Sequence, residues 1–162
     1  MTVEEKDEIL KEHRKLEAQL QSLYKRHDEL CQEDEEIEEK KRSAKRIDTD
    51  GTPYGQEAEM FAKWIDEQKA LRQYAGTVYE MAKEKGRKLM ARRAEIRQLL
   101  EKYNFGDKGC EMAKQYYIGG LSYRKIAMLY EMKWPTVRRW VLNSVMAIPI
   151  EELKKMQDIS PV

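Results

Sequence analysis

The feature that most constrains how this chain folds is a seven-residue repeat of apolar side chains. Residues 3–45 contain neither Gly nor Pro, so no strong helix breaker interrupts them. Every seventh position in this stretch is apolar: Ile9, Leu16, Leu23, Leu30 and Ile37, with Ala44 continuing the series. A heptad series of this kind forms one seam of a coiled coil. The sequence therefore predicts a long helix over about residues 3–45.

The companion positions of this heptad are less apolar. They are occupied by His13, Leu20, His27 and Asp34. Polar residues at such positions weaken a seam and fix its register. The two histidines are about 21 Å apart along one helix, so one chain cannot close a metal site with both. We expect partly solvated seam histidines, and we predict no metal site and no cofactor.

A second helix is predicted over about residues 57–103. The loop before it, residues 47–55, concentrates Asp, Gly, Thr and Pro, which are turn residues. The helix carries an apolar stripe spaced by threes and fours, formed by Phe61, Trp64, Leu71, Ala75, Val78, Ala82, Leu89, Ile96, Leu99 and Tyr103. Gly76 and Gly86 are weak points in this helix, each costing about 1 kcal/mol relative to Ala.

Two helices of nearly equal length joined by a short loop favour an antiparallel hairpin over residues 1–103. A turn centred near Gly51 places the acidic run Glu33–Glu39 opposite Lys63, Lys69 and Arg72. It also places four acidic residues opposite three arginines: Glu4, Glu5, Asp7 and Glu8 face Arg92, Arg93 and Arg97. This pairing is one use of the basic stretch 86–97, and nucleic-acid binding is the alternative.

A two-helix hairpin has a thin core, so apolar residues outside its seams need a further partner. The residues in question are Leu10, Tyr24, Cys31, Ile65, Met81 and Met90. We predict a homodimer through the hairpin.

Composition narrows the class of protein. Only 8 of 162 residues are Gly and 4 are Pro, which fits an all-α fold. Cys31 and Cys110 belong to no CxxC pattern, so we expect reduced, packed thiols rather than the alternative single disulfide. The sequence has no long apolar run and no signal-peptide pattern, and we predict a cytoplasmic protein without membrane contact. It also lacks the residue constellations of hydrolases, metalloenzymes and phosphate-loop proteins, so we predict that it is not an enzyme.

The last segment, residues 104–162, is predicted to be a small helical domain. Gly106 ends the long helix and Asp107 caps a supporting helix over residues 108–118, with Cys110, Ala113 and Tyr117 facing inward. Helices over 122–130, 134–147 and 150–157 follow, the last of them after Pro149.

Residues 119–143 within this domain have the pattern of a helix-turn-helix. A Gly-Gly pair ends one helix, and Ser122 can cap the next, in which Ile126, Ala127, Leu129 and Tyr130 recur at helical spacing. Three residues separate that helix from another that opens near Pro135, where proline is tolerated. Val137, Val141 and Val145 then form an apolar stripe. Such a helix pair can place its second helix in the DNA major groove.

The face opposite the valines carries side chains suited to base edges. Arg139, Leu142, Asn143 and Met146 point away from the stripe, and Thr136 and Arg138 flank it. Arg and Asn match guanine and adenine, whereas Arg124, Lys125 and Lys133 lie where phosphate contacts fall. The predicted DNA-binding residues are Ser122, Tyr123, Arg124, Lys125, Lys133, Trp134, Thr136, Arg138, Arg139 and Asn143. A helical hairpin with a solvated basic face is the alternative interpretation.

The stretch YYIGGLSYRKIAMLYEMKWPTVRRWV resembles the promoter-binding helix-turn-helix of bacterial sigma factors, region 4. The layout of the chain is similar to small phage and prophage transcriptional regulators of the ArpU/RinA kind. This resemblance implies that Thr136, Arg138 and Arg139 enter the major groove and that the helix beginning after Ser122 braces the DNA backbone. Two positions depart from the pattern: Glu131 stands where Gly is usual, and Lys133 replaces a polar cap.

The leading expectation is a sequence-specific regulator of transcription that binds double-stranded DNA, in the cytoplasm of a bacterial host if it is phage encoded. RNA polymerase is then a candidate protein partner. Two alternatives remain open: a small-terminase-like subunit for DNA packaging, and a coiled-coil adaptor that binds protein rather than DNA.

Overall fold

The computed structural model describes residues 2–47, 56–104 and 107–158. Every regular element in these residues is an α-helix, which confirms the all-α prediction. The helices are α1 (Val3–Lys11), α2 (His13–Ile47), α3 (Gln56–Asn104), α4 (Lys108–Tyr117), α5 (Tyr123–Tyr130), α6 (Trp134–Met146) and α7 (Ile150–Asp158). The predicted loop 47–55, apart from Ile47, and the predicted stop at Gly106 lie outside the described residues.

The first predicted helix is divided at Glu12. A capping box opens α1, in which Thr2 accepts from the Glu5 amide at 3.2 Å and Glu5 accepts from the Thr2 amide at 2.9 Å. The carbonyl of Leu10 lies 2.8 Å from Nδ1 of His13. The His13 side chain therefore competes with backbone amides for the Leu10 carbonyl. The Glu12 amide donates to the Ile9 carbonyl, three residues before it, which makes a tighter turn than an α-helix. The predicted long helix over about residues 3–45 is therefore present but bent at Glu12, which keeps a right-handed helical conformation.

The described residues group into two compact units, each with its own core. One unit is the stretch Ala18–Gly86, and the other contains the described residues of 1–17 and 87–162. This grouping differs from the boundary after residue 103 that the sequence predicts. The reason is that Ile9, Leu10, Ile96 and Leu100 are buried in the same core as α4–α7. Leu10 is thus a core residue and not, as expected from its spacing, part of a dimer surface.

In the unit Ala18–Gly86, α2 and α3 form an antiparallel hairpin. Arg72 pairs with Asp34 at 3.2 Å, and the Lys85 ammonium donates to Gln19 at 2.8 Å, so position numbers fall along one helix as they rise along the other. Arg72 also lies 3.6 Å from Glu38, so the acidic run Glu33–Glu39 faces Arg72 as predicted. Gln68 is buried and donates to Glu38 at 2.8 Å. The hairpin seam therefore contains a polar layer that apolar periodicity alone does not indicate.

In the other unit, three cations on α1, α2 and α3 bind the carboxyl ends of α6, α4 and α7. Lys6 donates to the carbonyls of Met146 and Ile148 at the end of α6, at 3.2 and 2.6 Å. Arg14 donates to Tyr116 in the last turn of α4 at 3.0 Å, and Arg92 donates to Met156 in α7 at 2.6 Å. Helix carboxyl ends carry unpaired carbonyls and partial negative charge, which these cations satisfy.

These contacts replace the ion pairs predicted for the basic stretch. Arg93 pairs with Glu17 at 3.1 Å rather than with an acidic residue of α1. Asp7 pairs with Lys11 at 2.8 Å and accepts from the hydroxyl of Tyr117. The predicted pairing of the α1 acids with Arg92 and Arg93 is therefore wrong, because a backbone carbonyl of α7 binds Arg92 and Glu17 of α2 binds Arg93.

Candidate nucleic-acid interface

The helix-turn-helix begins where the sequence predicts it. Asp107 caps α4 by accepting from the Cys110 amide at 2.7 Å. The same helix ends before Gly119 and Gly120, and Gly120 adopts a left-handed φ of 70°. A Cβ on Gly119 would lie 2.7 Å from the Gln115 carbonyl oxygen, so the Gly-Gly pair is needed sterically. Ser122 then caps α5 by accepting from the Lys125 amide at 3.2 Å. The predicted caps at Asp107 and Ser122 are confirmed.

The turn between α5 and α6 is closed by a left-handed residue. Glu131 has φ 53° and ψ 46°, the conformation for which Gly is usual. Its amide donates to Ala127 and Met128, and the Met132 amide donates to Ala127 at 2.9 Å. These bonds satisfy the last carbonyls of α5. A glutamate holds this conformation at a cost of about 1–2 kcal/mol relative to the right-handed one.

The start of α6 lacks a side-chain cap. Lys133 occupies the cap position in extended conformation, with φ −78° and ψ 137°, and makes no capping hydrogen bond. Pro135 is the second residue of the helix, where a missing amide hydrogen loses no bond. The Lys133 carbonyl still accepts from the amides of Thr136 and Val137. The lysine side chain is exposed and is available to an external anion.

The two helices pack through an apolar stripe and expose a polar face. Val137, Val141 and Val145 are fully buried, as predicted, together with Ile126 and Ala127. The opposite face of α6 exposes most of the residues predicted for base contact. Arg138, Arg139, Asn143 and Met146 are exposed, and Thr136 and Leu142 are half-buried. Helical periodicity is sufficient to predict this division because α6 has a regular core-facing stripe.

Exposed cations surround the turn. Arg124, Lys125 and Lys133 are all exposed. The Arg124 guanidinium lies 5.9 Å from the centroid of the Trp134 ring, so the indole orients it. A shallow depression lies beside this pair and is lined by Arg124, Ala127, Met128, Glu131, Met132, Lys133, Trp134 and Pro135. Glu131 is the acidic residue of that lining.

Tyr123 is placed differently from the other predicted contact residues. Its ring stacks on Tyr116 with centroids 4.2 Å apart and planes 7° apart. Burial, together with a hydrogen bond to Tyr116, raises the pKa of the Tyr123 hydroxyl. The side chain therefore contributes mainly to packing between α4 and α5.

Two features of α5 escape the sequence interpretation. Leu129, which the spacing assigns to the apolar series, is 65% exposed, and the neighbouring Met128 is 80% exposed. A helix of two turns buries only a narrow face, and Ile126 and Ala127 occupy it.

Cys110 is buried as predicted, whereas Cys31 is exposed and not packed. His13 is buried, contrary to the expected solvation.

Comparisons of the chain with protein-family models, curated proteins and solved structures find no match. Across the described residues, no helix is long and apolar enough to cross a bilayer. The same residues contain no cluster of three or more His, Cys, Asp or Glu that could hold a metal ion.

Proposed function

We propose that this chain binds double-stranded DNA in a sequence-specific manner and regulates transcription, as phage and prophage regulators of the ArpU/RinA kind do. The observation that carries this proposal is the exposed face of α6. It presents Arg138, Arg139 and Asn143 opposite a buried valine stripe. The side chains of Arg and Asn form the bidentate contacts that distinguish guanine and adenine in the major groove.

The surroundings of α6 support the same proposal. Arg124, Lys125 and Lys133 supply exposed positive charge beside the candidate recognition helix. Such residues contact phosphates, set the register of the protein on the duplex and make binding salt dependent. We further propose that the DNA-binding form is a homodimer through the hairpin, with RNA polymerase as a candidate partner.

The test is a selection from random double-stranded oligonucleotides, followed by affinity measurements on the selected site. We expect Arg139→Ala to weaken binding to the selected site by about 1–3 kcal/mol and to reduce discrimination at one base pair. Lys154→Ala is the control. Lys154 is exposed on α7, so this substitution removes one positive charge from a different helix. A selection that enriches no sequence, or an Arg139→Ala protein with unchanged specificity, would contradict the proposal.

A further inference from the structure

Both flanks of the hairpin seam in the unit Ala18–Gly86 expose large apolar side chains, with Tyr74 and Met81 on one of them. The other flank also carries glycines and charged edges. Tyr24 and Ile65 are 48% and 53% exposed, Tyr79 is 45% exposed, and Cys31 is exposed beside them. Each follows a seam residue directly, so it lies beside the seam on its own helix. Glu38 lies seven residues after Cys31 on α2, and Arg72 lies seven residues after Ile65 on α3. Their side chains are 3.6 Å apart, so both helices contribute to this flank. We call the surface formed by Tyr24, Cys31, Ile65 and Tyr79 the flank face.

Two glycines of α3 lie on the flank face. Gly86 continues the row of Ile65 and Tyr79, and Gly76 is one turn before Tyr79. A Cβ on either residue would meet no described atom within 4 Å outside the local helix backbone. Glycine inside a helix is destabilising relative to Ala, and the described fold gives no steric reason for either one. Close approach of another helix is a physical reason to keep them.

The outer edges of the flank face carry opposite charges. Asp28 and Glu35 are exposed on the α2 edge, three residues before and four residues after Cys31, and Arg42 at the end of the same row pairs with Glu35 at 2.8 Å. Lys69 and Lys83 are exposed on the α3 edge, one turn after Ile65 and Tyr79. A surface with one acidic and one basic edge is complementary to itself when the edges cross over.

We propose that the flank face packs against the same face of a second copy, with α2 of each copy against α3 of the other. A two-fold axis parallel to the helices brings each acidic edge against a basic edge. An axis across the helices would instead set acid against acid and base against base. This inference rests on the proposed homodimer and adds the face and the orientation. The result is a four-helix bundle that covers the exposed aromatic residues and uses the space above both glycines.

The first test compares Gly76→Gln with Ala70→Gln in the full-length protein by sedimentation equilibrium. Gly76→Gln fills the space above the flank face, whereas Ala70 is an exposed small residue on the opposite flank of α3. Overpacking destabilises a packed interface, so we expect Gly76→Gln to raise the dimer Kd about 10-fold or more. We expect Ala70→Gln to change it less than about 2-fold. Circular dichroism checks that the glutamine, a better helix former than glycine, leaves the helix content intact.

The second test exchanges charges. Glu35→Lys and Lys69→Glu should each raise the dimer Kd by roughly two- to five-fold, and the double variant should recover the wild-type value. Equal effects of both glutamine variants, or no recovery in the charge double variant, would overturn the face and orientation. A wild-type protein that sediments as a monomer throughout would overturn the homodimer itself. A dimer that obeys these expectations but selects no DNA sequence would leave the flank face intact and remove the proposed DNA function.

Discussion

At the scale of single residues, Glu131 combines two effects that can be separated. Its left-handed conformation closes the turn between α5 and α6, and its carboxylate lines the depression beside Arg124 and Lys133. The conformation strains the backbone of any residue with a Cβ. The negative charge opposes binding of DNA phosphates near the same cations. A neutral isostere and a glycine therefore change different properties of the turn.

We predict that Glu131→Gln raises affinity for the selected DNA by about two- to five-fold at low salt and leaves the free energy of unfolding nearly unchanged, because only the charge is removed. Glu131→Gly should raise affinity similarly and also increase the free energy of unfolding by about 0.5–1 kcal/mol. Fluorescence anisotropy and urea unfolding measure the two quantities. Glycine without any added stability would show that the turn is not strained.

His13 is the second residue whose chemistry follows from its position. Its Nδ1 lies 2.8 Å from the Leu10 carbonyl, which accepts a hydrogen bond when that nitrogen carries the hydrogen. Burial lowers the pKa of the imidazole below its usual 6.5, and the positive charge of Arg93 acts in the same direction. The unfolded chain therefore takes up a proton more readily than the folded one. The stabilising effect is complete above about pH 6.5 and is lost as the pH falls from there toward the folded pKa.

We predict that His13→Gln, which keeps a side-chain donor but cannot gain this charge, reduces the loss of stability between pH 7 and pH 5. Urea unfolding in a Trp64→Phe background makes Trp134 and Trp140 the reporters of the unit that contains His13. His27→Gln is the matched control, because His27 lies in the hairpin unit. A His13→Gln protein with the wild-type pH dependence would contradict this account.

At the scale of elements, side chains that are distant in sequence stabilise the carboxyl ends of helices. The Lys6 ammonium donates to the carbonyl of Met146, the last residue of α6, and to that of Ile148 just after it, and the side chain is buried. This contact joins α1 to the candidate recognition helix within one compact unit. Loss of the lysine would leave those carbonyls buried with one partner fewer.

We predict that Lys6→Met lowers the free energy of unfolding by about 1.5–3 kcal/mol, because a charged hydrogen-bond donor is lost from a buried position. Lys15→Met serves as the control, since Lys15 is exposed in the same unit and should change stability by less than about 0.5 kcal/mol. Urea unfolding monitored by tryptophan fluorescence measures both. Equal effects of the two variants would show that the contact to α6 is not stabilising.

The difference between contacts local in sequence and contacts distant in sequence explains what the sequence could predict. Helices and caps depend on neighbours in sequence, so the caps at Asp107 and Ser122, the valine stripe and the exposed face of α6 follow from spacing. The polar layer of the hairpin seam does not, because Gln68 is buried there by hydrogen bonds with Glu38 and Lys41 of the other helix. Nor do the bonds of Lys6 and Arg14 follow, since they join residues that are more than 100 positions apart.

At the scale of the whole molecule, the charge distribution assigns the proposed DNA affinity to one short segment. The 162-residue chain has a net charge of only +1, but five of its basic residues and one acidic residue fall within residues 120–140. A nearly neutral protein gains little from long-range attraction to DNA. The salt dependence of binding should therefore come from a few exposed cations. Its slope should be proportional to the number of copies of this segment that are bound.

We predict that Lys125→Ala weakens binding to all DNA sequences alike and reduces the slope of log K against log salt concentration by about one unit for each bound copy. A bound homodimer should thus lose about two units, because both copies present Lys125 to phosphates. Titrations between about 50 and 200 mM salt on one selected site measure the slope, with Lys154→Ala as the control for a charge removed elsewhere. A loss of only one unit would indicate one bound copy of the helix-turn-helix, and an unchanged slope would exclude Lys125 from the interface.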